Sequence, residues 1–117
     1  MKKINERKVM GVFFKVYEED NIDVEKTVNQ LLENKIRIEE VYVFEDCDIG
    51  MQSIDCCYDI NEFLKQYKKI MSYDLDTIEF RMTYNELPVE LTMSFDNNLL
   101  LFTTPQKDVE LDDLLNI

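Results

Sequence analysis

Cys47, Cys56 and Cys57 carry the most reactive side chains in this chain, and their neighbours decide what they can do. A thiol becomes a nucleophile through a nearby base or a lowered pKa, and the chain has no histidine to supply the usual base. Asp46, Asp48 and Asp55 flank the three thiols, and their negative charge disfavours the thiolate. A zinc site built from cysteines alone needs four thiolates, commonly in pairs two to four residues apart. Here there are three, two of them adjacent, so their side chains cannot easily converge on one ion. The cysteines therefore read as small, half-buried side chains.

Carboxylates are the other chemically capable group. The stretch from Glu39 to Glu62 holds eight of them and no Lys or Arg. Asp46, Asp48 and Gly50 suggest a calcium loop, but the register fails: counted from Asp46, Gly50 stands fifth, and position twelve is Cys57 rather than Glu. Acidic residues are so numerous that no single pair marks a hydrolase. Both glycines are isolated, so a phosphate-cradling loop has no material, and no dinucleotide or nucleophile-elbow motif is present. The expectation is a protein that is not an enzyme and needs neither metal nor cofactor. What remains is a concentrated negative patch with aromatic borders, suited to contact with Lys and Arg. Its expected members are Glu39, Glu40, Tyr42, Glu45, Asp46, Asp48, Asp55, Tyr58 and Asp59, with Tyr58 exposed and Phe44 in the core.

The elements that must position this patch follow from periodicity. Val9–Tyr17 is apolar on both faces, which predicts a central strand with Gly11 marking a bulge or close approach. Ile22–Lys35 places Val24, Val28, Leu31 and Leu32 at helical spacing behind Asn21 or Asp23 as cap. Ile36 and Ile38 lead into a second strand through Val41 and Val43. From Asp59 to Tyr73, a capping-box variant (Asp59, Glu62) opens an amphipathic helix with Ile60, Phe63, Leu64, Tyr67, Ile70 and Met71 on one stripe. Ile78–Tyr84, Leu87–Phe95 and Leu99–Thr103 then alternate with period two, joined at Asn85-Glu86 and Asp96-Asn97-Asn98, where Asn and Asp tolerate turn geometry. Asp108–Leu115 reads as a short terminal helix. The order β-α-β-α-β-β-β-α predicts an α+β fold: a mostly antiparallel sheet ending in a three-strand meander, with helices packed on one face.

At 117 residues, 45 % of them apolar, the chain can bury a core as one domain and is too apolar for a disordered acidic tail. An odd cysteine count and a charged start without an unbroken apolar stretch point to the cytoplasm. The absence of Ala, with plentiful Asn, Ile and Lys, suggests an AT-rich bacterial or phage genome. Net charge is −12, and residues 18–62 contribute most of it, with fourteen acidic side chains against three basic ones. Such a field repels nucleic acid and anionic membranes and attracts a basic protein. It leaves oligomeric state open. In size, charge and class, the chain is similar in general character to immunity proteins of bacterial toxin systems. The resemblance implies a basic toxin domain, for example a nuclease, as the partner to be neutralised. A phage-encoded inhibitor or nucleic-acid mimic is the alternative, and a small enzyme or ligand-binding domain a more distant one.

Overall fold

The computed structural model describes residues 1–45 and 56–117. Among these residues, seven strands form one antiparallel sheet: β1 (Lys2–Val9), β2 (Val12–Glu18), β3 (Arg37–Glu45), β4 (Cys56–Tyr58), β5 (Leu75–Tyr84), β6 (Leu87–Ser94) and β7 (Leu99–Thr104). Their spatial order is β1-β2-β7-β6-β5-β3-β4. Between and after them lie α1 (Val24–Glu33), α2 (Ile60–Lys65), α3 (Tyr67–Ile70) and α4 (Leu111–Leu115).

The α+β class, the meander and the helical layer follow the alternation in the sequence. Tyr84 pairs with Leu87 across Asn85 and Glu86, both at positive φ, the geometry that matches the twist of a two-residue hairpin. Along β5, β6 and β7, alternate residues are buried: Ile78, Phe80 and Met82; Val89, Leu91 and Met93; Leu100 and Phe102. They form one core with Val24, Val28 and Leu31 of α1, Phe63 of α2, Ile70 of α3, and Leu111, Leu114 and Leu115 of α4. The helices therefore cover one face of the sheet. Asp23 caps α1, its carboxylate accepting from the Lys26 N–H at 3.0 Å. That helix ends with Lys35 at positive φ, where the Lys35 and Ile36 N–H groups bond back to the carbonyls of Leu32 and Leu31. Among the described residues, no helix is long and apolar enough to cross a membrane.

Four expectations are corrected. Val9–Tyr17 is not one central strand: Met10 and Gly11, at φ 50 and 81, turn the chain between β1 and β2. Met10 offers none of the Asn, Asp or Gly chemistry that usually marks the first turn position, and the basic segment before it carries no apolar alternation to announce a strand. Consequently β2 lies second from the edge rather than at the centre. Its faces are also the reverse of what apolarity suggests: Lys15 and Tyr17 are buried on the helical side, whereas Val12, Phe14 and Val16 are half-exposed on the other. The predicted helix over residues 59–73 is divided at Gln66, whose backbone (φ −99, ψ 12) leaves helical geometry. Leu64 and Leu32, expected on buried stripes, are exposed.

Buried Lys15 is accommodated by partners from the far end of the chain. Its ammonium donates to the Val109 carbonyl at 2.7 Å and to Glu110 Oε1 at 3.1 Å, and also to the Lys107 carbonyl. Tyr17 donates its hydroxyl to Glu110 Oε2 at 2.5 Å and accepts from the Leu111 N–H at 3.2 Å. Lys3 adds a third donor to Glu110 at 2.8 Å. Partial burial pushes the Glu110 carboxyl up, but the donors Lys3, Tyr17 and Lys15 outweigh it and hold the group at about 2. This network pins the segment before α4 to β1 and β2.

Candidate functional site

The sheet face opposite the helices is the surface on which charged side chains converge. Period-two alternation turns every second residue toward it, and strand register decides which of these meet. Arg81 on β5 pairs with Glu40 on β3 and with Glu90 on β6, while Glu79 pairs with Tyr42. A register shift between Ile38 and Glu40 lets Glu39 join this face without turning the rest of β3 over.

Arg81 is the centre. Its guanidinium carbon lies 4.5 Å from the centroid of the Tyr42 ring, and its Nε stands 3.5 Å from both Glu79 Oε1 and Glu90 Oε1. Tyr42 donates its hydroxyl to Glu40 Oε2 at 2.7 Å and accepts from Arg81 Nη1 at 3.4 Å. The Cys57 thiol donates to the same Glu40 oxygen at 3.4 Å. Glu39 accepts from the Thr83 hydroxyl at 3.1 Å and pairs with Arg37 Nε at 3.0 Å.

These contacts shift protonation in opposed directions. Hydrogen bonds from Tyr42 and then Cys57 pull the Glu40 carboxyl below its ordinary range. The bond to Glu40, with some loss of solvent, pushes the Tyr42 phenol up to about 12. Desolvation and then Glu40 raise the Cys57 thiol. Glu90 is raised as well, by burial first and the charge of Glu79 second. A strengthened acid beside a weakened thiol and phenol keeps the protons on sulfur and oxygen, the wrong polarity for a base-activated nucleophile. Among the described residues, no three His, Cys, Asp or Glu side chains gather as metal ligands.

The nine residues expected in the contact patch are distributed unequally. Glu39, Glu40 and Tyr42 stand together on the open face. Glu45 ends β3 beside Leu75. Asp46, Asp48 and Asp55 lie outside the described residues. Asp59 caps α2, its Oδ1 accepting from the Glu62 N–H at 2.8 Å. Tyr58 corrects the expectation of exposure: it pairs with buried Val41 and packs, half-buried, against the core. Phe44 makes the opposite correction, since it alternates with buried Val43 and sits half-exposed beside Thr77 on the open face.

No protein-family model matches the chain, and neither a curated protein nor a solved structure resembles it significantly. The surface must therefore be read from its own chemistry.

Glu79, Arg81 and Glu90 were not among the residues singled out from the sequence. Each reads there as the solvated side of a strand with one buried face, and only pairing across β3, β5 and β6 gathers them. The available signal was three charged side chains within strictly alternating strands, where Thr or Ser would serve equally well for solubility. Beyond them, toward β1, the face changes character. Val16 pairs with Leu101, Phe14 with Thr103, and Leu99 with Ser94, all half-exposed. An acidic half with one central arginine thus adjoins an apolar half.

Proposed function

We propose that this chain is a binding protein that neutralises a basic protein partner, most specifically an immunity protein that blocks a cognate bacterial toxin domain such as a nuclease. The observation that carries the reading is the open sheet face. Four carboxylates, Glu39, Glu40, Glu79 and Glu90, share two guanidinium groups there, those of Arg37 and Arg81, on a surface that no helix covers among the described residues. The net charge of −12 acts over a longer range and speeds encounter with a cation-rich surface. Adjacent apolar side chains supply the desolvated contact area that charge alone does not provide. A basic nuclease, whose Lys and Arg otherwise hold phosphates, is the type of target this combination would occlude.

The test begins with affinity capture of the tagged chain from its native host, where one basic protein should be recovered in stoichiometric amount. Calorimetry on the purified pair should then show that the triple variant Glu40→Gln/Glu79→Gln/Glu90→Gln binds roughly 100-fold more weakly, the scale expected when close interfacial charge pairs are lost. The association rate of the parent should fall steeply between 50 mM and 500 mM salt, these being chosen conditions on either side of effective screening. Unchanged affinity in the triple variant would remove the open face from the interface.

A further inference from the structure

Where the acidic and apolar halves meet, the face is hollowed. A depression of about 280 Å³ is lined by Val12, Phe14, Pro88, Thr103, Thr104, Pro105 and the carboxylate-bearing Glu90. That is slightly below the roughly 300 Å³ at which small-molecule sites begin. It suits one long side chain better than a compact ligand. Six of these seven residues have apolar or hydroxyl side chains, and one carries negative charge.

We propose that this hollow is the anchor subsite for a single arginine side chain of the basic partner. The proposal rests on the binding reading above and names the contact at its centre. An arginine stem is three methylenes long and packs well on walls such as Val12, Pro88 and Pro105. Its planar head can then pair with Glu90 and lie against the Phe14 ring, as a guanidinium does more readily than a strongly hydrated ammonium. Glu90 is also short of cation. Its Oε1 and that of Glu79 stand 3.5 Å from the same nitrogen, Arg81 Nε, so one guanidinium serves two carboxylates. Burial first and the charge of Glu79 second raise the Glu90 carboxyl, and a second cation beside it offsets both. Charge selects the occupant: an anion meets Glu79 and Glu90, and a second copy of this chain brings the same carboxylates and another −12. One cation counts against the entry. Arg7 on β1 pairs with Phe14, one wall of the hollow, and brings positive charge to the same sheet face, so Arg7→Gln should tighten binding.

The experiment is a titration of the 117-residue chain by ¹H–¹⁵N NMR with N-acetyl-arginine-amide, compared with N-acetyl-citrulline-amide, its neutral isostere. Arginine should shift the amides of Phe14, Glu90 and Thr103 and saturate in the millimolar range, a scale of about 4 kcal/mol. Citrulline should bind at least tenfold more weakly. Glu90→Gln should abolish the preference, and Arg7→Gln should strengthen arginine binding two- to threefold. Equal shifts from arginine and citrulline would overturn the proposal, as would shifts centred on Glu39–Tyr42 or an unaffected Glu90→Gln. Affinity for the captured partner separates the two readings. If Glu90→Gln leaves partner affinity intact while Glu40→Gln/Glu79→Gln weakens it, the subsite fails and the acidic face stands. If no basic partner is captured and arginine amide still saturates, the subsite stands and the binding reading fails.

Discussion

Lys15 and Glu110 show how one buried charge organises distant parts of the chain. Lys15 is fully buried, and its hydrogen bonds go to Lys107, Val109 and Glu110, 92 or more residues away, with Glu6 of β1 adding a carboxylate at 3.7 Å. Burying a cation without such partners costs several kcal/mol. Glu110→Gln should destabilise the fold by about 2 kcal/mol at pH 7, the scale of lost charge-assisted hydrogen bonds. The carboxyl titrates at about 2 in the fold, against an ordinary 4.5. A depressed acid contributes stability that is complete above its unfolded value and disappears as pH falls through its folded value. Urea titrations of parent and variant should therefore differ most above about pH 4.5 and converge near pH 2. Glu90 has the opposite sign: its carboxyl is raised, so its charge strains the fold at neutral pH. The Tm of Glu90→Gln at pH 7 should equal or slightly exceed the parent's. A clear fall would mean that the pair with Arg81 outweighs the repulsion by Glu79.

The turn at Met10-Gly11 illustrates how an element can be hidden by its own composition. Met10 is 97 % exposed at φ 50, and Gly11 adopts φ 81. A methyl group added at Gly11 meets no atom within 4 Å, so the cost of Gly11→Ala is backbone strain alone, about 1 kcal/mol. Met10→Asn places a residue that favours positive φ at the first turn position and should stabilise the hairpin by about 0.5 kcal/mol. Thermal unfolding of both variants measures the two effects, which should have opposite signs. At α2, Asp59→Ala should cost about 1 kcal/mol through loss of the cap to Glu62. The meander and the capped helices were readable because their signals are local: alternation, turn residues, and a carboxylate three residues ahead of its N–H. β1 and β4 were not, since an eight-residue polar strand and a three-residue strand lack such a pattern.

Across the whole molecule, the sheet divides labour between its faces. Among the described residues, one is closed by four helices over a continuous core, and the other keeps apolar and acidic side chains in water. Leaving Val12, Phe14, Val16, Leu99 and Leu101 half-exposed forgoes burial energy that a further layer would recover, which accords with the contact surface proposed above. Glu79→Gln should accordingly have little effect on thermal stability yet measurably weaken partner binding, a separation that calorimetry of unfolding and of binding can check side by side.

Composition and periodicity determined the α+β class, the meander, the helical layer and the acidity, because each depends on residue types at fixed short spacings. They also pointed to Glu39, Glu40 and Tyr42 as surface chemistry. Register, which depends on how separate strands align, decided the rest. It set Arg81 between Glu40 and Glu90, put Tyr58 inward and Phe44 outward, and turned the apolar side of β2 away from the core. Of the cysteines, the most reactive residues in the sequence, Cys57 is exposed rather than half-buried and serves Glu40 as a hydrogen-bond donor. The chemistry of the face lies instead with charges that no linear motif brings together.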